Sequence, residues 1–169
     1  MKEEKKKILV VDDEPDIREI LITVLRKDYS PQPAEDGKTA WDELSKNDGS
    51  SSLLITDGWN LPGINGYELT ELVRKDKRYV NMPVIMVSAR KEEKYIQLAK
   101  KATVDVYILK PFSYKEILFV VRAFPYKNPN IREEGIKRIL ERTKPSGHGN
   151  IILFPNGTYE RRTIDANLS

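Results

Sequence analysis

The sequence contains no cysteine and only one histidine among its 169 residues. Without cysteine there is no disulfide framework, no thiolate metal site and no thiol nucleophile. The one histidine, His148, stands between two glycines, so we expect a solvated loop residue rather than a catalytic base. Long apolar runs are also missing, since no stretch approaches the ~20 residues that span a bilayer and no secretory signal opens the chain. These absences predict a cytoplasmic protein with no membrane partner.

The sequence also lacks a large excess of either charge. The formal net charge is +3, from 29 Lys and Arg against 26 Asp and Glu. Residues 1–125 hold 21 basic and 21 acidic residues, whereas residues 126–169 hold 8 and 5. This surplus is too small to indicate nucleic-acid binding, and no helix-turn-helix is recognisable. We interpret the pairs Lys137-Arg138 and Arg161-Arg162 as solvated rather than as phosphate contacts.

What is present is an alternation of short apolar runs with segments of helical periodicity. The first run, Ile8–Val11, has the pattern of a strand that is buried on both faces. A second strand over residues 29–34 would contain Pro31 and Pro33, which cannot donate ladder hydrogen bonds, so we place it at a sheet edge. Three further strands are predicted around residues 53–55, 84–87 and 106–109. The alternation predicts an α/β fold: a doubly wound, five-stranded parallel sheet with helices on both faces.

Polar side chains follow four of these strands. Asp12 and Asp13 come after the first strand, Asp57 after the third, Ser88 after the fourth and Lys110 after the fifth. Chemistry in doubly wound sheets collects at the carboxyl ends of the strands, so we expect these side chains to converge. Each is a weak signal alone, because an Asp pair often only caps a helix and Lys-Pro is a common turn. Together they form a specific constellation.

Three carboxylates in one partly buried site need a counter-charge, because their mutual repulsion raises their pKa values. Mg²⁺ would supply it, since this ion favours a few carboxylates, a carbonyl and waters, and leaves positions for phosphate oxygens. Lys110 adds a second positive charge and Ser88 adds a hydroxyl donor. The set would hold a phosphoryl group with Asp57 as the nucleophile. Such a transfer needs positioning and charge neutralisation more than a general base.

The same residues lie in segments that resemble the response-regulator receiver family. The matching segments are ILVVDDEPDIREIL (8–21), LLITD (53–57), WNLPGINGYEL (59–69), PVIMVSA (83–89) and VYILKPF (106–112). The resemblance implies a flavodoxin-like sheet of strand order 2-1-3-4-5, and a switch of a two-component system rather than an enzyme acting on small molecules. It also implies a histidine kinase or histidine phosphotransfer protein as phosphoryl donor. A downstream protein would bind the face of the fourth helix, fifth strand and fifth helix.

Residue roles follow from this resemblance. Asp13 would bind Mg²⁺ directly and Asp12 through water. Asp57 would accept the phosphoryl group, Ser88 would hydrogen-bond that group and Lys110 would pair with it.

Tyr107 matches the aromatic switch position of the family. Its ring would turn inward when Ser88 moves toward the phosphate. The alternative is that Tyr107 only fills the apolar face of its strand.

One departure from the family pattern lies directly after Asp57. The family usually places proline four residues after the acceptor, whereas Asp57 and Pro62 are five apart, so Gly58 resembles an inserted residue. If the register is counted back from Pro62, Gly58 occupies the acceptor place and Asp57 points away from the acidic pair, because a one-residue shift reverses every side chain. We favour Asp57 as acceptor. The carbonyl ligand for Mg²⁺ then falls at Trp59, or at Asn60, and the insertion predicts weakened Mg²⁺ binding.

The sequence divides into a charged leader (1–6), a receiver domain (7–124) and an extension (125–169). In the extension, residues 131–143 predict a short helix and residues 151–164 predict a β-hairpin about Asn156-Gly157. A segment this short rarely holds a core of its own. It must therefore pack on the receiver, pair with a second copy through an exposed strand edge, or begin a longer effector domain.

Two other functions compete with the phosphorylated switch. A pseudo-receiver would use the same fold as a phosphorylation-independent interaction module, with its site spoiled by Gly58. A haloacid-dehalogenase-like phosphatase also uses Asp, Ser or Thr, and Lys at strand ends. That enzyme needs Asp-x-Asp after its first strand, with the second carboxylate as acid and base, whereas this chain has Asp12-Asp13-Glu14.

Overall fold

The computed structural model of the protein describes residues 2–46 and 48–165. The strands are β1 (Lys7–Val11), β2 (Ser30–Ala34), β3 (Ser51–Thr56), β4 (Val84–Ser88), β5 (Val106–Leu109), β6 (Thr143–Pro145), β7 (Ile151–Leu153) and β8 (Glu160–Ile164). The helices are α1 (Pro15–Leu25), α2 (Gly37–Lys46), α3 (Gly66–Lys75), α4 (Glu93–Lys101), α5 (Tyr114–Ala123) and α6 (Ile131–Arg142). No helix within these described ranges is long and apolar enough to cross a bilayer.

All of these strands join one sheet of order β2-β1-β3-β4-β5-β7-β8-β6. The first five are parallel, which confirms the predicted doubly wound sheet and its order 2-1-3-4-5. Two apolar clusters lie on opposite faces of the sheet. One contains buried residues of α2, α3 and α4, and the other contains buried residues of α1, α5 and α6. The helices thus cover the two faces of the sheet, and the carboxyl ends of the parallel strands, where the polar residues lie, stay uncovered.

Local sequence signals place the elements that border this edge. The proline-containing strand β2 is at the sheet edge, as predicted. Pro15 opens α1, where its missing N–H is not needed. Reciprocal capping boxes start two more helices: Asn65 with Glu68 at α3, and Ser113 with Glu116 at α5. Each of these three helices therefore begins where a proline or a capping residue favours a helix start.

The extension continues the receiver sheet. Strand β7 pairs antiparallel with β5, with Tyr107 opposite Ile152 and Ile108 opposite Ile151. Along β7 the side chains alternate, so that Ile152 joins the α2–α4 cluster while Ile151 and Leu153 join the other. The predicted helix and hairpin are both confirmed, and the hairpin turns through Asn156, whose φ is +50°. Of the three arrangements predicted for this segment, packing on the receiver is the one observed.

The segment after α6 differs from the prediction. Thr143–Pro145 forms the strand β6 against β8, where the sequence suggested the end of a helix and a loop. Arg162 on β8 is buried, so the solvated interpretation of this residue is wrong. Its guanidinium donates to Thr143 Oγ1 at 2.7 Å, to the Thr143 carbonyl at 2.8 Å and to the Leu140 carbonyl at 3.2 Å. The last carbonyls of a helix lack hydrogen-bond donors within the helix. Here an arginine on the strand β8 donates to them.

Two contacts fix α6 against the receiver. Asp105, at the start of β5, accepts from Arg74 of α3 and from Arg132 of α6, both at 2.8 Å. At Gly135, an added Cβ would lie 2.1 Å from the ring of Phe124. The helix can approach Phe124 this closely only because it has no side chain there.

Candidate functional site

The backbone of β3 fixes the position of Asp57. Strand β3 pairs with β1, with Thr56 opposite Val11, and the Asp57 amide continues this ladder by donating to the Val11 carbonyl at 2.8 Å. The Asp57 side chain is 3% exposed and its Oδ2 lies 3.5 Å from Lys110 Nζ. Gly58 has no side chain to place there. The structure therefore brings Asp57 itself among the other polar residues at the strand ends.

Four carboxylates gather around this position. Oxygen atoms of Asp12, Asp13, Glu14 and Asp57 all lie within 4.8 Å of one another. Lys110 Nζ lies 3.0 Å from Asp12 Oδ2 and 3.1 Å from Glu14 Oε1. Asp12 and Asp57 are buried, while Asp13 and Glu14 are exposed. Sequence reasoning did not assign Glu14 to the site, although it continues the run of acids that follows β1.

The electrostatics of this cluster show an excess of buried negative charge. Burial raises the pKa of Asp57 to about 6; Lys110 opposes the rise, and the Asp12 carboxylate adds to it. Burial also raises the pKa of Asp12. Burial alone would lower the pKa of Lys110, but Asp57 and Asp12 raise it above its usual value. One ammonium group cannot neutralise four carboxylates, and an all-oxygen donor set is what Mg²⁺ prefers, so the residues fit this ion.

The turn after Asp57 accommodates the extra glycine without moving the carboxylate out of the cluster. The Gly58 amide donates to Asp57 Oδ1 at 2.6 Å, and the Gly66 amide donates to the Gly58 carbonyl at 2.6 Å. A Cβ at Gly66 would lie 1.9 Å from the Asp57 carbonyl oxygen. The first residue of α3 can therefore lie this close to Asp57 only if it is a glycine. At Gly58 a Cβ would come within 3.0 Å of Met86 Sδ. The loop is thus packed tightly next to Asp57.

Trp59 follows this turn at the surface. Its side chain is 45% exposed, and its indole meets the ring of Tyr95 on α4 edge-on, with 5.5 Å between the ring centroids. Its backbone carbonyl as a Mg²⁺ ligand stays a prediction. The ring contact nevertheless places Trp59 between the loop after Asp57 and α4, so its fluorescence can report on both.

Ser88 and Tyr107 are linked through the backbone of one residue. Both side chains are buried. The Arg90 amide donates to Ser88 Oγ at 3.1 Å, and the Tyr107 hydroxyl donates to the Arg90 carbonyl. A movement of Ser88 would therefore displace the group that holds the Tyr107 hydroxyl. Tyr107 also packs in the apolar cluster, so both predicted roles, switch and core residue, are compatible with its position.

Tyr67 is a residue of this region that sequence reasoning placed only on the apolar face of α3. Within the described part of the chain, its buried hydroxyl has no hydrogen-bond partner. Burial raises its pKa, and the nearby Tyr107 and Asp57 add to the effect. No sequence signal distinguishes it from a core tyrosine.

A doubly wound parallel sheet with this acidic cluster and lysine at its strand ends defines a flavodoxin-like α/β domain with a site suited to a divalent cation. Comparison with known families makes the class specific. The chain belongs to the response-regulator receiver family, since the model of the response regulator receiver domain matches residues 8–122. Members of this family are signalling proteins of two-component systems rather than classical enzymes, which sets aside the phosphatase hypothesis.

Individual relatives agree with this assignment. The chain is 44% identical over 109 residues to the chemotaxis protein CheY homolog of Campylobacter jejuni, covering 63% of this chain and 82% of that relative. It is 41% identical over 120 residues to chemotaxis protein CheY1 of Helicobacter pylori, covering 68% and 95%. Among solved structures, the chemotaxis response regulator CheY4 of Vibrio cholerae gives a TM-score of 0.64 at 26% identity, covering 70% of this chain and 97% of that one.

Proposed function

We propose that this receiver accepts a phosphoryl group on Asp57 from the phosphohistidine of a histidine kinase or histidine phosphotransfer protein. The observation that supports it is the buried Asp57 carboxylate, held at the strand ends 3.5 Å from Lys110 Nζ. In the transfer, a carboxylate oxygen bonds to phosphorus while the P–N bond breaks and its electron pair returns to the imidazole. Lys110 balances the charge of the acyl phosphate, and the Ser88 hydroxyl donates to a phosphoryl oxygen.

Asp12, Asp13 and Asp57, together with the Trp59 carbonyl, would hold Mg²⁺. When bound, this ion neutralises the carboxylates and the incoming phosphoryl oxygens. The protein's own contribution is the rigid placement of the two aspartates after β1 against Asp57 after β3. Asp12 is additionally fixed because its Oδ1 accepts from the Glu14 amide at 2.9 Å.

The signal would leave the site through Ser88, Arg90 and Tyr107. When the Ser88 hydroxyl turns to the phosphoryl group, the backbone of Arg90 shifts, because its amide bonds Ser88 and its carbonyl bonds Tyr107. The Tyr107 side chain then moves in response. The edge of β5, where Tyr107 lies, is paired with β7. A downstream partner would therefore contact the flanking helices or the extension rather than the β5 edge. A second copy pairing through a strand edge would have to use β2 or β6. Strand β2 contains Pro31 and Pro33, and β6 is three residues long and ends in Pro145, so both are poor strand-pairing surfaces.

Intact-mass analysis after incubation with acetyl phosphate and Mg²⁺ tests the proposal. We expect the parent to gain the mass of one phosphoryl group. Asp42→Asn, a control on α2 at a side chain that is 49% exposed, should gain the same mass, whereas Asp57→Asn should gain none. Amide NMR shifts with beryllofluoride, a phosphoryl mimic, should include Ser88 and Lys110. No added mass and no shift would favour the pseudo-receiver, with Gly58 as its cause.

A further inference from the structure

The extension creates a groove that the receiver sheet alone would not have. It lies between α5 and α6 and closes against the end of β8, with a volume of about 690 Å³. Four half-buried apolar side chains line it: Leu118, Phe119 and Ala123 from α5, and Ile164 from β8. The volume is within the range of about 300–1,000 Å³ that is usual for ligand pockets.

The rim of the groove is basic. Lys115 and Arg122 stand on α5, and Arg138 and Arg142 stand on α6; Glu141 is the acidic residue among the lining side chains. All five are exposed. Two of these four cations come from the receiver domain and two from the extension, and together they surround the apolar floor. The lining of the groove therefore carries an excess of positive charge.

Most of these cations form no ion pair within the described part of the chain. Arg122 pairs with Asp28 at 2.9 Å. Lys115, Arg138 and Arg142 form no ion pair with any residue in the ranges 2–46 and 48–165. Their charge is available to an anionic partner.

The elements that form the groove favour a helical occupant over an extended one. Two helices form its walls, and β8, which supplies Ile164, is already paired on both sides by β7 and β6. The groove lies on the face of the sheet that α5 and α6 cover, whereas a peptide strand adds at an edge of a sheet, so an extended peptide cannot pair with the sheet there. A helix that lays an apolar face between two helices requires no free backbone groups.

We propose that the groove between α5 and α6 binds an acidic amphipathic helix of a partner protein. The apolar side chains of that helix rest on Leu118, Phe119 and Ile164, and its acidic side chains face Lys115, Arg138 and Arg142. A second copy of the chain is a poor occupant, because its extension carries the same basic surplus. A flat anionic membrane cannot reach the floor of a concave groove. The proposal does not depend on phosphorylation, since none of the lining residues belongs to the acidic site.

A fluorescein-labelled synthetic helix tests this inference with the full chain. The peptide carries Leu and Phe at positions i, i+3, i+4 and i+7 and Glu on its other faces; a second peptide replaces each Glu by Lys. We expect saturable binding of the acidic peptide by fluorescence anisotropy, none of the basic one, and amide NMR shifts centred on Phe119 and Ile164. The double variant Arg138→Glu, Arg142→Glu should bind at least tenfold more weakly, about 1.4 kcal/mol.

Matched variants separate the groove from general charge and from the acidic site. Lys75→Glu with Lys77→Glu reverses two exposed cations outside the groove and should bind as the parent does. Asp57→Asn should also bind unchanged, so a failed phosphorylation test leaves this one intact. The proposal is overturned if the Arg138, Arg142 variant binds as tightly as the parent, or if shifts fall elsewhere. It is equally overturned if sedimentation shows a dimer that this variant dissociates, or if phosphatidylserine vesicles bind and the peptide does not.

Discussion

Replacing Asp57 by Asn measures the electrostatic cost of the acidic cluster. Burial raises the pKa of Asp57 from 3.8 to about 6, and the side chain is only 3% exposed, so solvent screens it little. At about 1.4 kcal/mol for each pKa unit, the interval between these two values corresponds to about 3 kcal/mol. This is the free energy by which ionising Asp57 destabilises the folded protein in the absence of a divalent cation.

The sign of the effect sets the pH window. The folded protein keeps the Asp57 proton up to about pH 6, whereas the unfolded chain loses it near 3.8. The free energy of unfolding therefore falls as the pH rises through this interval, and the loss is complete above about pH 7. Asn has no proton to lose. We expect Asp57→Asn to be more stable than the parent by up to about 3 kcal/mol at about pH 7.5 and nearly equal at about pH 4.

Urea unfolding in EDTA, followed by circular dichroism at both pH values, checks this expectation. The control Asp42→Asn removes a carboxylate of α2 whose side chain is 49% exposed and which pairs with Lys38. It should change stability by less than about 0.5 kcal/mol at either pH. Adding Mg²⁺ near neutral pH should stabilise the parent more than Asp57→Asn, because the ion neutralises the carboxylates. The reasoning is refuted if Asp57→Asn is less stable than the parent near neutral pH, or if the difference between them does not change with pH.

Two further predictions concern glycines. Gly135→Ala should destabilise the protein by about 1–3 kcal/mol in urea unfolding, because the new Cβ would lie 2.1 Å from the Phe124 ring; Gly147→Ala, with no atom within 4 Å of its Cβ, is the matched control and should be neutral. Deleting Gly58 should raise the affinity for Mg²⁺ in a tryptophan-fluorescence titration, whereas deleting Gly63 of the same loop should not. A Gly58 deletion that binds Mg²⁺ no more tightly would contradict the expected weakening by the insertion.

Much of the fold follows from local patterns that contacts elsewhere do not override. Continuous apolar runs predict strands buried on both faces, and β1, β3, β4 and β5 were found in this way. Pro31 and Pro33 place β2 at the edge because of a property of proline alone. The capping residues Asn65 and Ser113 mark helix starts for the same reason: the hydrogen bonds they make are to their own chain neighbours.

The candidate site was predictable because doubly wound sheets bring the carboxyl ends of their strands together. Asp12, Asp57 and Lys110 are far apart in sequence, yet Lys110 Nζ lies 3.0 Å from Asp12 Oδ2 and 3.5 Å from Asp57 Oδ2. The strand order brings them together. The register at the insertion was a different matter. Two alignments fitted the sequence, and only the hydrogen bond from the Asp57 amide to the Val11 carbonyl shows which residue continues the strand.

By itself, then, the sequence determined the five-stranded parallel sheet, the family and the set of polar residues at the strand ends, because these depend on periodicity, turn chemistry and topology. Only the tertiary structure decided where the extension lies. Its hairpin could have paired with another chain or with β5, since an open strand edge presents the same N–H and C=O groups to either. The buried Arg162, the ion pair of Arg132 with Asp105 and the groove between α5 and α6 all result from that one pairing. They join residues whose proximity no local pattern encodes.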